Sequence, residues 1–483
     1  MTLDGDVHDW ASTNCMTQAR SFLELGPWRT HFVPVQNNPP LGLDPDVYLH
    51  WPPLVPLVIS WFMRILGDRE AAGRIVELLV SFGTAAGLLC LGKVLYSVRV
   101  GLLAGFFYLT APATYIGGRV IVQPPMSVMF AVAGVLFYAL AAKGSKRRAL
   151  WAAAGIASMV CMVLASWDPI FVPLGLLLAA LYARDRAQIK LAAGYLAASM
   201  LTFAAIQADY ILSYPAFFGD QVSTIGYRMG LPFKAPSIVR LHSIVDMVGY
   251  KTQLPAATIL QDQVSNLLRL FHPFLLLAGC LFVAFWWQPA FRREGKRLLV
   301  IGGLAFPWIL WAIVMRQYVG IHEFTLVLAA PFLALATGVM LEEILLKLLH
   351  RREWAAALWV MTIVLPMLVF HNALQAAIHV KEQFTKPQYR DFSALVERET
   401  PPNAIVLSPE QFSVPVYYSK RHIVRGIDSP QVLRQAAAQA HAAFPGSPLY
   451  LAVKTDLPNG LGAVLASITP VATLGDSAVY RLP

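Results

Sequence analysis

The chain has 483 residues, of which 57% are hydrophobic and only 14% charged. Soluble domains carry roughly 25% charged residues, so this composition excludes an ordinary soluble protein and reads as an integral membrane one. The formal net charge of +10 fits Lys and Arg retained in the cytoplasmic loops of a polytopic protein, and not a nucleic-acid partner.

The chain opens on "MTLDGDVHDW", which gathers Asp4, Asp6, His8 and Asp9 with no apolar anchor in front of them. A polar loop that is translocated needs a membrane helix before it, so one transmembrane helix upstream of Met1 is expected. The run "LVPLVISWFMRIL", closing on Leu66, is too short to span comfortably and contains Arg64. It reads as an amphipathic helix lying on the membrane surface. A spanning helix needs roughly 20 mostly apolar residues. Candidates follow near 74–97, 100–116, 124–142, 149–166, 169–183, 191–211, 267–287, 298–315, 324–341 and 355–371.

Basic residues set the orientation. "KGSKRR" (143–148), "RDRAQIK" (184–190), "FRREGKR" (291–297) and "KLLHRRE" (347–353) fall in alternate connections, with Arg99 in the same phase. The opposite connections, "YIGGRVIVQPP", "SWDP" and "RQYVGIHEF", are poorer in charge. The long segment 212–266 holds Arg228, Lys234, Arg240 and Lys251, but long loops constrain topology less. The basic loops are therefore read as cytoplasmic. This divides the chain into an extracytoplasmic first loop with surface helices (1–73), a transmembrane helical domain (74–372) whose long outer loop is 212–266, and a soluble extracytoplasmic tail (373–483).

The tail changes character. "NAIVLSP", "SPLYLAVK" and "AVYRLP" read as short strands, and "SPQVLRQAAAQAHAAF" as an amphipathic helix with a Ser-Pro start. A small α/β domain follows, with no nucleotide-binding or metal-ligand spacing in it. Cys90, Cys161 and Cys280 lie within apolar runs, which leaves Cys15 without a disulfide partner.

The polar residues that need explaining lie in the outer loops and at outer helix ends. They include Arg20, His31 and His50 in the first loop, then Arg74, Glu77, Arg119, Gln123 and Asp168. Later loops add Asp220, Gln221, Tyr227, Arg228, His322 and Glu323. Taken singly, each is as well explained by ordinary loop polarity, and Arg74 and Glu77 by mutual neutralisation three residues apart on one helix. Together they would line one outer cavity with carboxylates, imidazoles and guanidinium groups. That set suits group transfer from a phosphate: a carboxylate takes a proton from the acceptor, and cations stabilise the departing phosphate.

Three stretches resemble the polyprenyl-phosphate-sugar glycosyltransferases of the GT-C fold, in the branch of the protein O-mannosyltransferases and aminoarabinose (lipid A) transferases. "DW" at 9–10, followed by "QARSFLELGPW", resembles that family's acidic first-loop motif. "YLHWPPLVPLVISWFMRILG" and then "AGRIVELLVSF" resemble its surface helix leading into a helix that bears an arginine, here Arg74. "GLLAGFFYLTAPATYIGGRVIVQPPMSVMFAVAG" is similar in length and texture to the next helical hairpin. The likeness runs over residues 1–345 as a hydropathy pattern and is specific over the first 140. Members place the acidic loop directly after their first transmembrane helix, consistent with the helix expected upstream.

The sequence departs from the family at Gln123-Pro124, where members commonly have Asp-Pro, and at Trp51, where many have a charged residue. A glutamine cannot act as a base or bind a cation with charge. The resemblance implies an α-helical polytopic GT-C enzyme that moves a sugar from a lipid phosphate to an acceptor hydroxyl or amine with inversion. Asp9 is then the base, with Asp6 and Asp4 next in line. Arg228 with Tyr227 contacts the leaving phosphate, because a planar guanidinium offers bidentate pairing. Arg74, Arg119 and Gln123 are further donor contacts. His50 and the His322–Glu323 pair are candidates to bind the phosphate, directly or through a divalent cation. The implied partners are the polyprenyl-phosphate sugar, membrane lipid and an extracytoplasmic acceptor. Two rivals stay open: a transporter or flippase, which would carry inverted repeats and midplane charges, and a non-catalytic assembly partner.

Overall fold

The computed structural model describes residues 9–38, 51–118, 120–144, 146–213, 217–231, 254–284, 295–350, 354, 363, 365–383, 389–410, 413–454 and 460–483. Asp4, Asp6, His8, His50 and Arg119, and most of the span expected at 355–371, lie outside the described residues.

The chain enters as helix α1 (Asp9–Leu25) and helix α2 (Leu54–Leu66). α2 buries Val55, Ile59 and Met63, spaced four apart on one face, and leaves Trp61, Ile65 and Leu66 exposed. Its exposed side thus carries apolar side chains as well as Arg64. Gly67, at φ +79, turns the chain into the next helix.

Then come α3 (Glu70–Leu95), α4 (Val98–Thr110), α5 (Pro112–Gly117) and α6 (Gln123–Ala142). They are followed by α7 (Arg148–Ala165), α8 (Val172–Ala183) and α9 (Arg186–Ser213). The segment 212–266 contributes α10 (Phe217–Arg228) and most of α11 (Ala256–Leu270), and α12 (Pro273–Ala284) follows. Next are α13 (Gly295–Val300), a π-helical turn (Ile301–Ala305) and α14 (Phe306–Val314). α15 (Arg316–Ile321), a 3₁₀ stretch (Glu323–Leu328) and α16 (Ala330–His350) complete the bundle.

Among the described residues, 5 helices are long and apolar enough to cross a membrane, or up to 6 if α11 and α12, bent by 112° at their junction, form one broken span. Leu54–Leu66, Val98–Thr110, Val172–Ala183 and Leu298–Val314 are shorter apolar helices. The protein is therefore a multi-pass membrane protein. Glycines let the helices approach at backbone distance. A Cβ on Gly101 would collide with the Leu89 carbonyl of α3, and one on Gly175 with the Gly302 carbonyl of the π-helical turn. Small residues at such crossings are how membrane helices gain packing without a hydrophobic driving force.

α17 (Leu365–Gln383) runs through position 373, so the α/β unit starts later than the composition suggests, at α18 (Arg390–Glu399). Its strands are β1 (Ile405–Leu407), β2 (His422–Val424), β3 (Leu449–Val453), β4 (Ala472–Leu474) and β5 (Ser477–Arg481). The sheet order is β2-β1-β3-β5-β4, with β1, β2 and β3 parallel and β5 and β4 antiparallel. β1, β2 and β3 are buried throughout, as strands of a doubly covered parallel sheet are. The helices around them are α19 (Val414–Ser419), α20 (Pro430–Ala443) and α21 (Leu461–Leu465). Ser429 caps α20 by accepting from the Val432 N–H, which is the Ser-Pro start read from the sequence.

The α/β unit docks on the first loop. Arg20 of α1 bridges the Asp68 carboxylate at 2.6 Å and the Tyr417 carbonyl at 2.8 Å. The Asn38 amide donates to the carbonyls of Val416 at 2.7 Å and Arg421 at 2.9 Å. The Tyr418 hydroxyl reaches the Glu70 carboxylate at 2.5 Å. The first loop and the tail thus meet on one side of the molecule.

Candidate active site

Helix α10 ends on Tyr227 and Arg228, where the helix dipole favours a cation. The Arg228 guanidinium lies 4.6 Å from the centre of the Tyr318 ring and 5.9 Å from that of Trp51. Trp51 and Tyr318 are themselves 5.9 Å apart. A half-buried guanidinium packed on two electron-rich rings can still offer its planar fork to an anion.

Tyr318 is held in place from several sides. The Gln317 side chain pairs with both backbone groups of Leu254, at 2.9 and 3.0 Å. Gln263 of α11 donates to the Val319 carbonyl at 2.6 Å, and Arg316 to the Gly230 carbonyl at 3.0 Å. Trp51 is fixed by the Tyr210 hydroxyl, which donates to its carbonyl at 3.2 Å. The long segment 212–266 is thereby tied to the turn that carries the aromatic residues.

His322 follows Tyr318 by four residues and is only 6% exposed. Its ring lies 4.7 Å from Tyr318, 5.0 Å from Phe324 and 5.8 Å from Trp10. Trp10 is the second residue of α1, so Asp9, the first, begins the helix at this cluster. The Ser12 hydroxyl accepts from the Ile121 N–H at 3.0 Å, which brings the turn before Gln123 against α1. Gln123 is buried at the first position of α6.

Asp168 sits between α7 and α8 and is 0% exposed. Burial pushes its pKa up to about 8, against the opposing pull of Arg228 and the Ser166 hydroxyl. A carboxyl group so placed is mostly protonated at neutral pH and becomes a hydrogen-bond donor.

The structure thus gathers Trp10 beside Asp9, Trp51, Asp168, Arg228, Tyr318 and His322 from widely separated segments. Other expected residues have different surroundings. Glu323 forms an ion pair with Arg269 of α11, which commits its carboxylate to a cation there. Arg74 is half-buried on α3, next to Gly73, which packs against Met16 and Ile121. The expected neutralisation of Glu77 by Arg74 does not form: Glu77 is fully buried and neither carboxylate oxygen has a hydrogen-bond partner among the described residues. Arg20 serves the tail interface. Among the described residues, no three His, Cys, Asp or Glu side chains gather in a group that could hold a metal ion.

Tyr318 and Trp51 were not singled out as site residues from the sequence. The available signal was Tyr318 one helical turn before His322 in "RQYVGIHEF", and Trp51 directly before the prolines that open α2.

Residues 50–210 match the model of the dolichyl-phosphate-mannose-protein mannosyltransferase family. Sequence comparison with curated proteins finds no match. Among solved structures, ArnT from Cupriavidus metallidurans bound to undecaprenyl phosphate superposes with a TM-score of 0.64 at 13% identity, covering 98% of this chain and 93% of that one. The chain has the GT-C fold. The oligosaccharyltransferase AglB from Archaeoglobus fulgidus, in complex with an inhibitory peptide and a dolichol-phosphate, superposes with a TM-score of 0.59 at 10% identity. That match covers 94% of this chain and 66% of AglB. The GT-C fold here includes the small C-terminal sheet, since the ArnT match spans nearly the whole of both chains.

Proposed function

We propose that the protein is a glycosyltransferase that moves a hexose or pentose from a polyprenyl-phosphate donor to an extracytoplasmic acceptor, with inversion at the anomeric carbon. The observation that carries this reading is Arg228, packed on Tyr318 and Trp51, with Tyr318 in turn against His322 and His322 against Trp10 at the start of α1. Such a site supplies a bidentate cation for a phosphate and flat apolar faces for a sugar ring or the first isoprene units. The family match and the lipid phosphates named in the ArnT and AglB structures support the same donor class.

The reaction needs one base and one anion hold. The Asp9 carboxylate, with Asp6 as the alternative, takes the proton of the acceptor hydroxyl or amine. The acceptor's lone pair forms the new bond to the anomeric carbon as the bond from that carbon to the phosphate oxygen breaks. The electron pair stays on the phosphate, where Arg228 pairs with it, Tyr227 lies next to it in sequence, and His322 donates a further hydrogen bond. Arg74, Arg119, Gln123 and His50 complete the donor pocket in this reading, with or without a divalent cation. The cytoplasmic assignment of the basic loops puts this chemistry, and the tail, on the far side of the membrane.

The test uses purified protein, a radiolabelled polyprenyl-phosphate sugar and a panel of glycan, lipid and peptide acceptors. Label moving to an acceptor is the expected result. Uptake of label into sealed vesicles without covalent transfer would establish the transporter reading instead. Neither outcome, with the protein folded, would leave the non-catalytic partner.

A further inference from the structure

The start of α1 is held by a residue from the C-terminal unit. The Ser413 hydroxyl donates to the Trp10 carbonyl at 2.6 Å, across 403 positions of sequence. Thr13 Oγ1 lies 3.0 Å from Ser413 Oγ and 3.3 Å from the same carbonyl. Both hydroxyls thus converge on the Trp10 carbonyl, and either can be the donor in the bond between them. Both side chains are buried, at 3% and 0% exposure.

Trp10 is the residue after Asp9, and its ring packs on His322. A constraint on the Trp10 backbone therefore acts on two things at once: the backbone of the first turn of α1, which begins at Asp9, and the ring that His322 leans on. Further along α1, Arg20 donates to the Tyr417 carbonyl at 2.8 Å. The Ser413 hydroxyl adds a hydrogen bond from another part of the chain to a carbonyl of the first turn of α1.

We infer that Ser413 is a positioning residue: the C-terminal unit sets the catalytic base through the Ser413–Trp10 hydrogen bond. This rests on the glycosyltransferase reading with Asp9 as base. Misplacement of a reacting group by about 1 Å costs as much as 10²-fold in rate.

The experiment compares full-length Ser413→Ala, Ser413→Thr and Thr13→Val with the parent, in the transfer assay and by hydrogen–deuterium exchange over residues 9–16. Ser413→Ala is expected to lower kcat at least tenfold with donor KM and melting temperature unchanged, and to speed exchange in the first turn of α1. Ser413→Thr, which keeps the hydroxyl, is expected to restore both. Unchanged exchange and unchanged kcat in Ser413→Ala would overturn the inference. So would a fall in kcat that tracks a lowered melting temperature, since that is a structural role alone. Faster exchange with no loss of kcat would also overturn it. If instead no assay shows transfer by the parent, the functional reading itself fails, and the exchange data still report whether Ser413 holds α1.

Discussion

Asn37 pairs with Ile423 as a neighbouring strand would. Its side-chain nitrogen donates to the Ile423 carbonyl at 2.9 Å, and its side-chain oxygen accepts from the Ile423 N–H at 3.0 Å. Ile423 lies in β2, at one edge of the five-stranded sheet. An uncovered edge exposes unpaired backbone groups. Here a residue of the first loop covers it, so the site-bearing loop and the tail fold as partners.

Asn37→Ala removes both bonds and leaves a buried N–H and a buried carbonyl without partners. Each such group costs about 1–3 kcal/mol. The variant should lower the melting temperature and admit protease cleavage between the membrane bundle and the α/β unit. Asn37→Asp, which sets a buried carboxylate oxygen against the Ile423 carbonyl, should also lower the melting temperature. A melting curve and digestion pattern identical to the parent would mean the pairing contributes nothing.

Arg228→Lys keeps the charge and loses both the planar fork and the stacking on Tyr318. Contacts of that kind contribute about 0.5–2 kcal/mol, so the donor KM should rise by roughly threefold to thirtyfold. Binding of a polyprenyl phosphate, followed by tryptophan fluorescence, should weaken in parallel. A change confined to kcat would assign Arg228 to the chemical step alone.

Asp168 makes stability depend on pH. Its folded pKa, pushed up to about 8 by burial, lies above the ordinary carboxylate value near 3.9. The folded state therefore keeps a proton that the unfolded state releases, and stability falls as pH rises from about 4 to about 8, then levels off. Asp168→Asn carries no such proton. Its melting temperature should match or exceed the parent's at pH 8 and show a flatter decline from pH 5. Parallel pH curves for the two proteins would mean that Arg228 keeps Asp168 charged.

Asp9→Asn preserves shape and hydrogen bonding but cannot accept a proton. General-base catalysis is typically worth about 10²–10⁴ in rate, so turnover should drop by that factor while donor binding persists. Asp6→Asn should lose much less than tenfold. The reverse pattern would move the base three residues toward the N-terminus.

Composition alone decided that this is a membrane protein, because no soluble core needs so little charge. Periodicity decided the amphipathic α2, the longer helices, the Ser429 cap and the strands β1, β3 and β5, since each is a local pattern that its own residues satisfy. The short strands β2 and β4 were not read from the sequence, whereas β1, of the same length, was. The quoted motifs pointed to the GT-C fold before any helix was placed. What tertiary structure alone decided is which polar residues act together. Arg228 meets Tyr318 and Trp51, Glu323 turns to Arg269, Arg20 serves the tail, and Ser413 reaches Trp10. These contacts join segments tens to hundreds of positions apart. In such contacts the partner is chosen by where helices cross and which groups lose water together, and a linear sequence records neither.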